Sequence, residues 1–438
     1  MLKRSLLCLC LTFLLGGMAV FAAEPTMKVV DDWKVQWSDG EKTATVKIDL
    51  PDYQNFKDEK YDSIVLFNPN GSPWRKATPL SGVVAQECCV FDALVVDSFK
   101  LKDAPDGKEF IRGKDYELDE PSGNIGYLEG GRIKADTPVY ATYTSVQMRI
   151  DSIVENANGK ITLVKGTPHQ ANPVPPELEK GQKRLGNVWI SGRITKLTED
   201  QLFPILIPED QQLLDTTPAA EPIAKKLIPK TWNKLVNGEE IRILAWGDSV
   251  TACGYIPDEE RWQAQFATRL QKMFPKANVV LMTEAWGGRN SDSYRNEPPG
   301  SPKNYKEKVL DLKPDLIVLE FVNDSGMDIP TVQKKYGEML EDFRGIGADW
   351  IICTPHYVKK EWMGLTRERD ICDDPRPYTT GLRQFTEANN IPLADNSLLY
   401  GRLWKQGIPY STLLCNTVNH PNGKGMKLYA DAIMRLFY

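Results

Sequence analysis

Residues 241–251 of this chain read IRILAWGDSVT, and this stretch decides the fold of the C-terminal half. The run from Ile241 to Trp246 is typical of a short buried strand. The turn Gly247-Asp248-Ser249 that follows it can lift a serine hydroxyl out of the backbone, where it could attack a carbonyl carbon. Because most serines in front of a helix only cap that helix, the turn needs support from other segments.

Downstream of this strand, apolar strands alternate with segments of helical period. Further strands are predicted over 279–282, 316–321, 350–353 and 391–394, and helices over 262–274, 331–344, 379–389 and 423–436. Strands separated by helices of this size predict a parallel sheet with helices on both faces. We therefore expect an α/β domain over residues 241–438.

The residues that follow the predicted strands carry the candidate chemistry, because ligands of open α/β sheets bind beyond the carboxyl ends of the strands. Gly287 and Gly288 follow the second strand, and paired glycines let a backbone N–H approach a ligand closely. Asn323 follows the third strand and offers a side-chain amide donor. His420 precedes the last helix. We expect these groups to converge with Ser249 at one edge of the sheet.

Together, the four segments resemble the SGNH (GDSL-type) hydrolase superfamily, in which a serine, a glycine, an asparagine and a histidine occur in this order. The resemblance implies a three-layer α/β/α, flavodoxin-like domain over residues 241–438, and its segment 285–295 looks most like the polysaccharide acetylesterases. It implies that Ser249 is the nucleophile and His420 the catalytic base. The oxyanion would be held by the Ser249 and Gly288 N–H groups and the Asn323 amide, with Gly287 as an alternative to Gly288.

Two positions depart from the pattern of the superfamily. The glycine expected two residues before Asn323 is Phe321. The aspartate expected three residues before His420 is Thr417, preceded by Asn416, so these two residues are the candidates for triad support. Three interpretations stay open: a Ser-His dyad helped by a main-chain carbonyl, a carboxylate from elsewhere, or a degenerate enzyme.

Three further residues are candidate substrate contacts: Asp248, Arg289 and His356, which follows the fourth predicted strand. The chain has only three histidines, and His169 lies in a different region from His356 and His420. Such isolated histidines do not form a histidine-rich metal site. We expect neither a metal nor another cofactor.

The first residues predict export. Lys3 and Arg4 precede an apolar stretch that ends at Ala22-Ala23, which is typical of a cleaved signal peptide over residues 1–22. A secreted or periplasmic protein without a further membrane span is expected. Export also permits disulfides, and Cys353 with Cys372 is a candidate pair.

The overall charge argues against nucleic-acid partners. The chain has 438 residues with 54 Lys+Arg and 59 Asp+Glu, and its formal net charge is −5. A mildly acidic chain without a long basic run lacks the electrostatic footprint of a nucleic-acid binder. An acylated carbohydrate is the expected partner.

The N-terminal half follows a different period. Residues 43–50 alternate between polar and apolar side chains, and a turn at 156–159 separates two further strand patterns, which predicts a hairpin. A β-sandwich-like domain is expected over 23–214, in one unit or in two with a break near 167–180. A linker is expected over 215–240.

The sequence thus predicts an exported serine esterase that removes acetyl or other small acyl groups from a carbohydrate. Two alternatives remain. A non-catalytic carbohydrate-binding protein would keep the pocket with a degenerate site. A lipid or thioester hydrolase would use the same nucleophile, although no long apolar lid segment favours it.

Overall fold

A computed structural model describes residues 24–72, 76–86, 88–214 and 221–438. The predicted signal peptide and residues 215–220 of the predicted linker lie outside these ranges. Across the part of the chain described, no helix has the length and apolar character needed to cross a membrane.

The N-terminal half is built from antiparallel strands. They span β1 (Thr26–Asp31), β2 (Lys34–Ser38), β3 (Thr43–Lys47), β4 (Asp52–Tyr61), β5 (Thr78–Pro79), β6 (Val84–Ala85), β7 (Cys88–Cys89), β8 (Leu94–Lys102), β9 (Tyr116–Asp119), β10 (Asn124–Tyr127), β11 (Val139–Gln147), β12 (Arg149–Glu155), β13 (Ile161–Val164), β14 (Lys183–Ile190) and β15 (Leu202–Pro204). β12 and β13 form the hairpin that the turn at 156–159 predicts.

Two hydrophobic cores divide these strands. The sheets β1-β2-β3 and β13-β12-β14-β15 share the first core, which contains Trp37, Ile153 and Val188, so this unit is sandwich-like as expected. The sheets β4-β11-β8 and β5-β10-β9 surround the second core, which contains Ile125 and Val139. The second unit is therefore inserted between β3 and β12, and residues 167–180 join two strands of the first unit.

The C-terminal half is a parallel sheet between two helical layers. Its strands are β16 (Glu240–Gly247), β17 (Asn278–Ala285), β18 (Leu316–Glu320), β19 (Asp349–Cys353) and β20 (Leu393–Ala394). Its helices are α1 (Ile223–Leu227), α2 (Pro229–Asn237), α3 (Ser249–Ala252), α4 (Trp262–Met273), α5 (Ser291–Arg295), α6 (Ile329–Ile346), α7 (Pro377–Asn389), α8 (Asn396–Tyr400) and α9 (Gly423–Met434). The order β17-β16-β18-β19-β20 is the flavodoxin-like order, with a switch point between β16 and β18.

The side chains of β16 point alternately to the two faces of the sheet, and each face packs against one helical layer. Ile243 and Ala245 pack in a core with Phe266 of α4. Leu244 and Trp246 pack on the other face in a core that includes Tyr336 of α6. This burial on both faces explains why the strand reads as a continuous apolar run, and it confirms the predicted three-layer architecture.

Two expectations need correction. Residues 221–240 are not a linker, because they form α1 and α2, and Ala224 and Leu235 are buried in the core of the α/β layers. Cys353 and Cys372 are not joined, since Cys353 is buried at the end of β19 whereas Cys372 is exposed.

Candidate active site

The serine turn begins where β16 ends. A side chain at Gly247 would place its Cβ 2.3 Å from the Glu320 carbonyl oxygen and 2.1 Å from Thr251 Oγ1, so only glycine fits there. Asp248 caps α3, because its carboxylate accepts a hydrogen bond from the Val250 N–H at 3.0 Å. Ser249 is the first residue of α3 and is partly exposed.

Two further turns meet the serine turn. Gly287 lies against Ser249, since a Cβ added to this glycine would be 3.7 Å from the Ser249 Cβ. Gly288 is exposed and adopts a left-handed φ of 72°, which favours glycine. The Asn323 side-chain amide donates to the Arg289 carbonyl oxygen at 3.0 Å. This bond uses one of its two amide hydrogens, so the second remains for an oxyanion.

Asp248 ties the serine turn to the asparagine turn. Its second carboxylate oxygen accepts a hydrogen bond from the Asn323 N–H at 2.8 Å. The residue is fully buried, so the prediction that Asp248 contacts substrate is wrong. Its effect on the site is to fix the positions of Ser249 and Asn323 relative to each other.

His420 reaches the serine from a loop near the C-terminus. Its Nε2 lies 3.0 Å from the Ser249 Oγ, within hydrogen-bond distance. The imidazole stacks on the Tyr255 ring, with a centroid distance of 4.5 Å and an interplanar angle of 2°. This contact holds the ring in the orientation that points Nε2 at the hydroxyl.

The two candidates for triad support serve the loop backbone instead. The Asn416 side-chain oxygen accepts hydrogen bonds from the N–H groups of Val418, Asn419 and His420, at 3.0, 2.9 and 3.0 Å. Thr417 adopts a left-handed φ of 58°, and its hydroxyl donates to the Cys89 carbonyl oxygen at 3.5 Å. Both residues therefore shape the loop that presents His420.

His356 also holds this loop, through a hydrogen bond to its backbone. Its Nε2 donates to the Asn419 carbonyl oxygen at 2.8 Å, and its Nδ1 accepts from the Tyr429 hydroxyl at 2.9 Å. Burial, together with the charge of Arg376, lowers the pKa of His356 to about 3, so the ring is neutral. Because His356 is fully buried, the prediction that it contacts substrate is wrong.

Two more buried carboxylates lie beneath the site, and sequence reasoning missed both. Glu320 accepts from the Thr251 hydroxyl at 2.9 Å and from the Val322 N–H at 3.0 Å. Asp324 accepts from the Ser291 N–H at 3.1 Å and from the Tyr336 hydroxyl at 3.1 Å. The sequence signal for Glu320 is an acidic residue at the end of the apolar run 316–320.

Burial raises the pKa of all three carboxyl groups. The pKa of Asp248 rises to about 7 and that of Asp324 to about 6, and the pKa of Glu320 rises well above its usual value. Desolvation is the main cause in each case, and for Asp248 and Glu320 the charges of the neighbouring carboxylates add to it.

The N-terminal half contacts the histidine loop. The Asn172 amide donates to the carbonyl oxygens of Thr412 and Leu414, both at 2.9 Å. On the opposite side, the Lys359 ammonium lies 3.7 Å from the centroid of the Phe91 ring, and the Lys359 N–H donates to the Val418 carbonyl oxygen at 2.7 Å. The loop is thus held by both halves of the chain.

Arg289 differs from the buried candidates. Its side chain is exposed, and its guanidinium lies 5.2 Å from the Trp286 ring centroid. Its role as a substrate contact stays a prediction. The described residues include no group of three or more His, Cys, Asp or Glu side chains arranged to hold a metal ion.

Comparison with known proteins identifies the C-terminal half. Residues 245–428 match the family model of the GDSL-like Lipase/Acylhydrolase family. No curated protein matches the chain.

Several solved structures are similar to this half. A two-domain esterase active on acetylated mannans is 16% identical, with a TM-score of 0.39 over 48% of this chain and 52% of that one. The chain therefore spans about half the length of that esterase. A mutant acetyl-xylooligosaccharide esterase from Geobacillus Stearmophilus is 19% identical, with a TM-score of 0.36 over 44% of this chain and 93% of that one.

A third similar structure is a GDSL-like lipase from Parabacteroides merdae, which is 16% identical with a TM-score of 0.33 over 44% of this chain and 94% of that one. Three observations point to the same family: the order of the strands in the sheet, the Gly247-Asp248-Ser249 turn, and the match over residues 245–428. Residues 245–428 of this chain are a GDSL-like lipase/acylhydrolase domain.

Proposed function

We propose that the protein is a carboxylic ester hydrolase in which Ser249 is the nucleophile and His420 the base. The observation that carries this proposal is the distance of 3.0 Å between the His420 Nε2 and the Ser249 Oγ. A nucleophile and a base within hydrogen-bond reach, with the base held by a third group, are the signature of covalent catalysis. Here the Tyr255 ring holds the base.

The reaction follows from the positions of these groups. His420 Nε2 takes the proton as the Ser249 Oγ forms a bond to the ester carbonyl carbon. The N–H groups of Ser249 and Gly288 and the Asn323 amide stabilise the oxyanion. The tetrahedral intermediate then expels the alcohol, which receives the proton from His420. Water, activated by the same imidazole, hydrolyses the acyl-enzyme and restores the serine.

The base operates as a Ser-His dyad in this proposal. At the two positions of the expected triad support the chain has Asn416 and Thr417, and neither side chain is a carboxylate. The loop around them is instead rigidly hydrogen-bonded, with Asn416 accepting from three backbone N–H groups. In this proposal, the loop backbone holds the His420 imidazole in place, as a carboxylate would in a triad.

The second candidate function is a non-catalytic carbohydrate-binding protein. The absence of a carboxylate at Thr417 favours it, since loss of the triad aspartate costs about 10⁴-fold in turnover in serine proteases. The contact between His420 and Ser249 favours the enzyme, because a binding protein needs no aligned base.

The proposed substrate is a carbohydrate that carries acetyl or another small acyl group, and the proposed location is secreted or periplasmic. A cavity of about 250 Å³, lined by Asn323 and Asn419, lies beside the site. Pockets for drug-sized ligands measure about 300–1,000 Å³, so this cavity suits a smaller group better than a lipid chain. The charged and apolar pattern of residues 1–22 supports export.

Hydrolysis of p-nitrophenyl acetate tests the proposal. The wild type and the Ser63→Ala control, whose serine is exposed on the N-terminal half, are expected to release p-nitrophenol at equal rates. Ser249→Ala is expected to lose at least about 10³-fold. Equal rates for Ser249→Ala and the wild type would overturn the serine mechanism, and no activity of the wild type on any acyl ester would favour the binding protein.

A further inference from the structure

The segment that carries Ser249 also carries the ring that faces His420. Helix α3 ends after four residues, because Cys253 adopts a left-handed backbone with φ 47° and ψ 35°. Residues other than glycine rarely adopt this conformation, and such strained positions cluster at functional sites. Tyr255 follows two residues later and lies against the imidazole. The serine and the aromatic ring therefore come from one short segment.

The two rings form a flat stack. Their centroids are 4.5 Å apart, and their planes differ by 2°. The edge of the same imidazole points at the serine, since His420 Nε2 lies 3.0 Å from Ser249 Oγ. A proton that arrives at Nε2 therefore creates a positive charge directly over the Tyr255 ring.

The face of an aromatic ring attracts a positive charge. The π-system is negative at its face, and the attraction is effective within about 6 Å of the ring centroid. The stack of His420 on Tyr255 meets this limit. A neutral imidazole has no net charge and gains less from the same contact. The stack therefore favours the imidazolium, which is the state of His420 after it has taken the serine proton.

The surroundings of the stack strengthen this attraction. His420 is 9% exposed, and the Tyr255 hydroxyl is buried. Contacts between a cation and a ring are stronger where water is excluded. Burial raises the pKa of the Tyr255 phenol above its usual value, so the ring is uncharged and acts only through its face.

Other titratable groups surround the stack. Within the described residues they come from the serine segment, the histidine loop, β18 and the loop after β19, and they are Asp248, Cys253, Cys415, Glu320 and His356. Burial raises the pKa of Cys253 and lowers that of His356 to about 3, so both are neutral at pH 7. All five groups are present in every variant of Tyr255, so differences between such variants report the ring itself.

We infer that Tyr255 stabilises the imidazolium of His420 through the face of its ring, and that this raises the rate of acyl transfer. The inference rests on the proposed function, because the imidazolium forms when His420 takes the Ser249 proton. Tyr255 acts through His420 and not on the substrate, so it is a positioning residue. This effect differs from holding the ring in its orientation, which does not change the balance between the two protonation states.

NMR titration of the histidine rings tests the inference without any substrate. The chain has three histidines, and His420→Ala identifies the His420 signal. In Tyr255→Leu, which has no aromatic face, the midpoint of the His420 titration is expected to fall by about 0.4–1.5 pH units. Tyr255→Phe keeps the face and is expected to stay within about 0.3 units of the wild type. Tyr53→Leu, which removes an exposed ring of β4, is the matched control and is expected to change nothing.

A fluorinated ring separates the charge distribution from the shape. Pentafluorophenylalanine at position 255 has nearly the shape of phenylalanine, but its fluorine atoms withdraw electron density, so its face does not attract a cation. The His420 midpoint is expected to lie at least about 0.4 pH units below that of Tyr255→Phe. This variant keeps the test valid if Tyr255→Leu does not fold, and melting temperatures identify that case.

Hydrolysis of p-nitrophenyl acetate connects the stack to the proposed reaction. The kcat of Tyr255→Leu is expected to fall about threefold to thirtyfold, whereas that of Tyr255→Phe is expected to stay within about twofold of the wild type. The pH profile of kcat/KM reports the base of the free enzyme. Its midpoint should therefore move to lower pH in Tyr255→Leu, as the NMR midpoint does.

Two results would overturn the inference. An unchanged His420 midpoint in both Tyr255→Leu and the pentafluorophenylalanine variant would show that the ring only orients the imidazole. An equal shift in Tyr53→Leu would show that the effect is not local. A shifted midpoint in a protein that hydrolyses no acyl ester would remove the proposed function and leave the effect on His420, whereas hydrolysis with an unchanged midpoint would remove the inference and leave the esterase.

Discussion

The serine turn and the histidine loop reach the same point of the molecule by different means. The serine turn follows directly from β16, and Asp248 locks it to the asparagine turn at the end of β18. The histidine loop lies outside the sheet, and the side chains of Asn416, His356 and Asn172 hold it. The proposed nucleophile is thus positioned by the α/β layers, whereas the position of the proposed base also depends on the N-terminal half.

In the proposed mechanism, this difference makes catalysis depend on the N-terminal half. Asn172 belongs to the N-terminal half, yet its amide donates to two carbonyl oxygens of the loop that leads to His420. A change in that half can therefore move the base and leave the nucleophile in place. The three predictions that follow separate the two sides of the site.

The largest effect is expected on the serine side. Asn323→Ala removes an oxyanion donor and the bond to the Arg289 carbonyl oxygen, and loss of one such donor costs about 10²–10³-fold in kcat. Initial rates of p-nitrophenyl acetate hydrolysis measure this loss in kcat. Asn278→Ala, at the opposite end of β17, is the control and should retain wild-type kcat. A wild-type kcat for Asn323→Ala would remove this residue from the oxyanion site.

A smaller effect is expected on the histidine side. Asn172→Ala deletes two hydrogen bonds to the loop, and we expect kcat to fall about tenfold with KM nearly unchanged, because the base loses its alignment. Asn55→Ala, which changes an exposed residue on β4, is the control for the stability of the N-terminal half. If Asn172→Ala and Asn55→Ala lowered the melting temperature equally and left kcat unchanged, the loop would not depend on the N-terminal half.

The buried carboxylates of the serine side predict the pH dependence of stability. The pKa of Asp324 is raised to about 6 by burial, so between its usual value and about 6 the unfolded state ionises first. The free energy of unfolding therefore falls as the pH rises through this range. Asp324→Asn cannot ionise at this position. The free energy of unfolding of the variant, relative to that of the wild type, should therefore increase by up to about 3 kcal/mol from pH 4 to pH 8.

Urea unfolding at both pH values measures this difference. The amide of Asp324→Asn can still accept one hydrogen bond, so the change tests ionisation more than the loss of contacts. A constant difference between pH 4 and pH 8 would show that the pKa of Asp324 is not raised by burial.

The sheet and its strand ends were predictable because they depend on local patterns. The apolar run 241–246 and the turn after it identify β16, and the rule for ligands at strand ends brings Ser249 and Asn323 together. His420 follows no strand, and the resemblance to the superfamily is what predicted its place beside them. Asp248 and His356 also follow strands, and the same rule predicts them as substrate contacts. Both side chains are buried and so cannot contact substrate. This burial depends on residues that are distant in sequence, such as Tyr429 for His356.

Two features of the fold were beyond local reasoning. The inserted unit of the N-terminal half depends on pairing of β4 with β11, whose partners Asp52 and Gln147 are far apart in the chain. The helices α1 and α2 follow a stretch rich in proline and alanine that is typical of a linker, although Pro229 occupies the first turn of α2, where proline is tolerated.

Covalent labelling tests whether Ser249 is a nucleophile that His420 activates. The full-length protein is incubated with a fluorophosphonate, which forms a covalent adduct with activated serines, and the modified peptide is identified by mass spectrometry. One adduct is expected, on Ser249, and it should form at least about 10³-fold more slowly in His420→Ala. An adduct on a different serine, or labelling of Ser249 at the same rate in His420→Ala, would contradict this expectation.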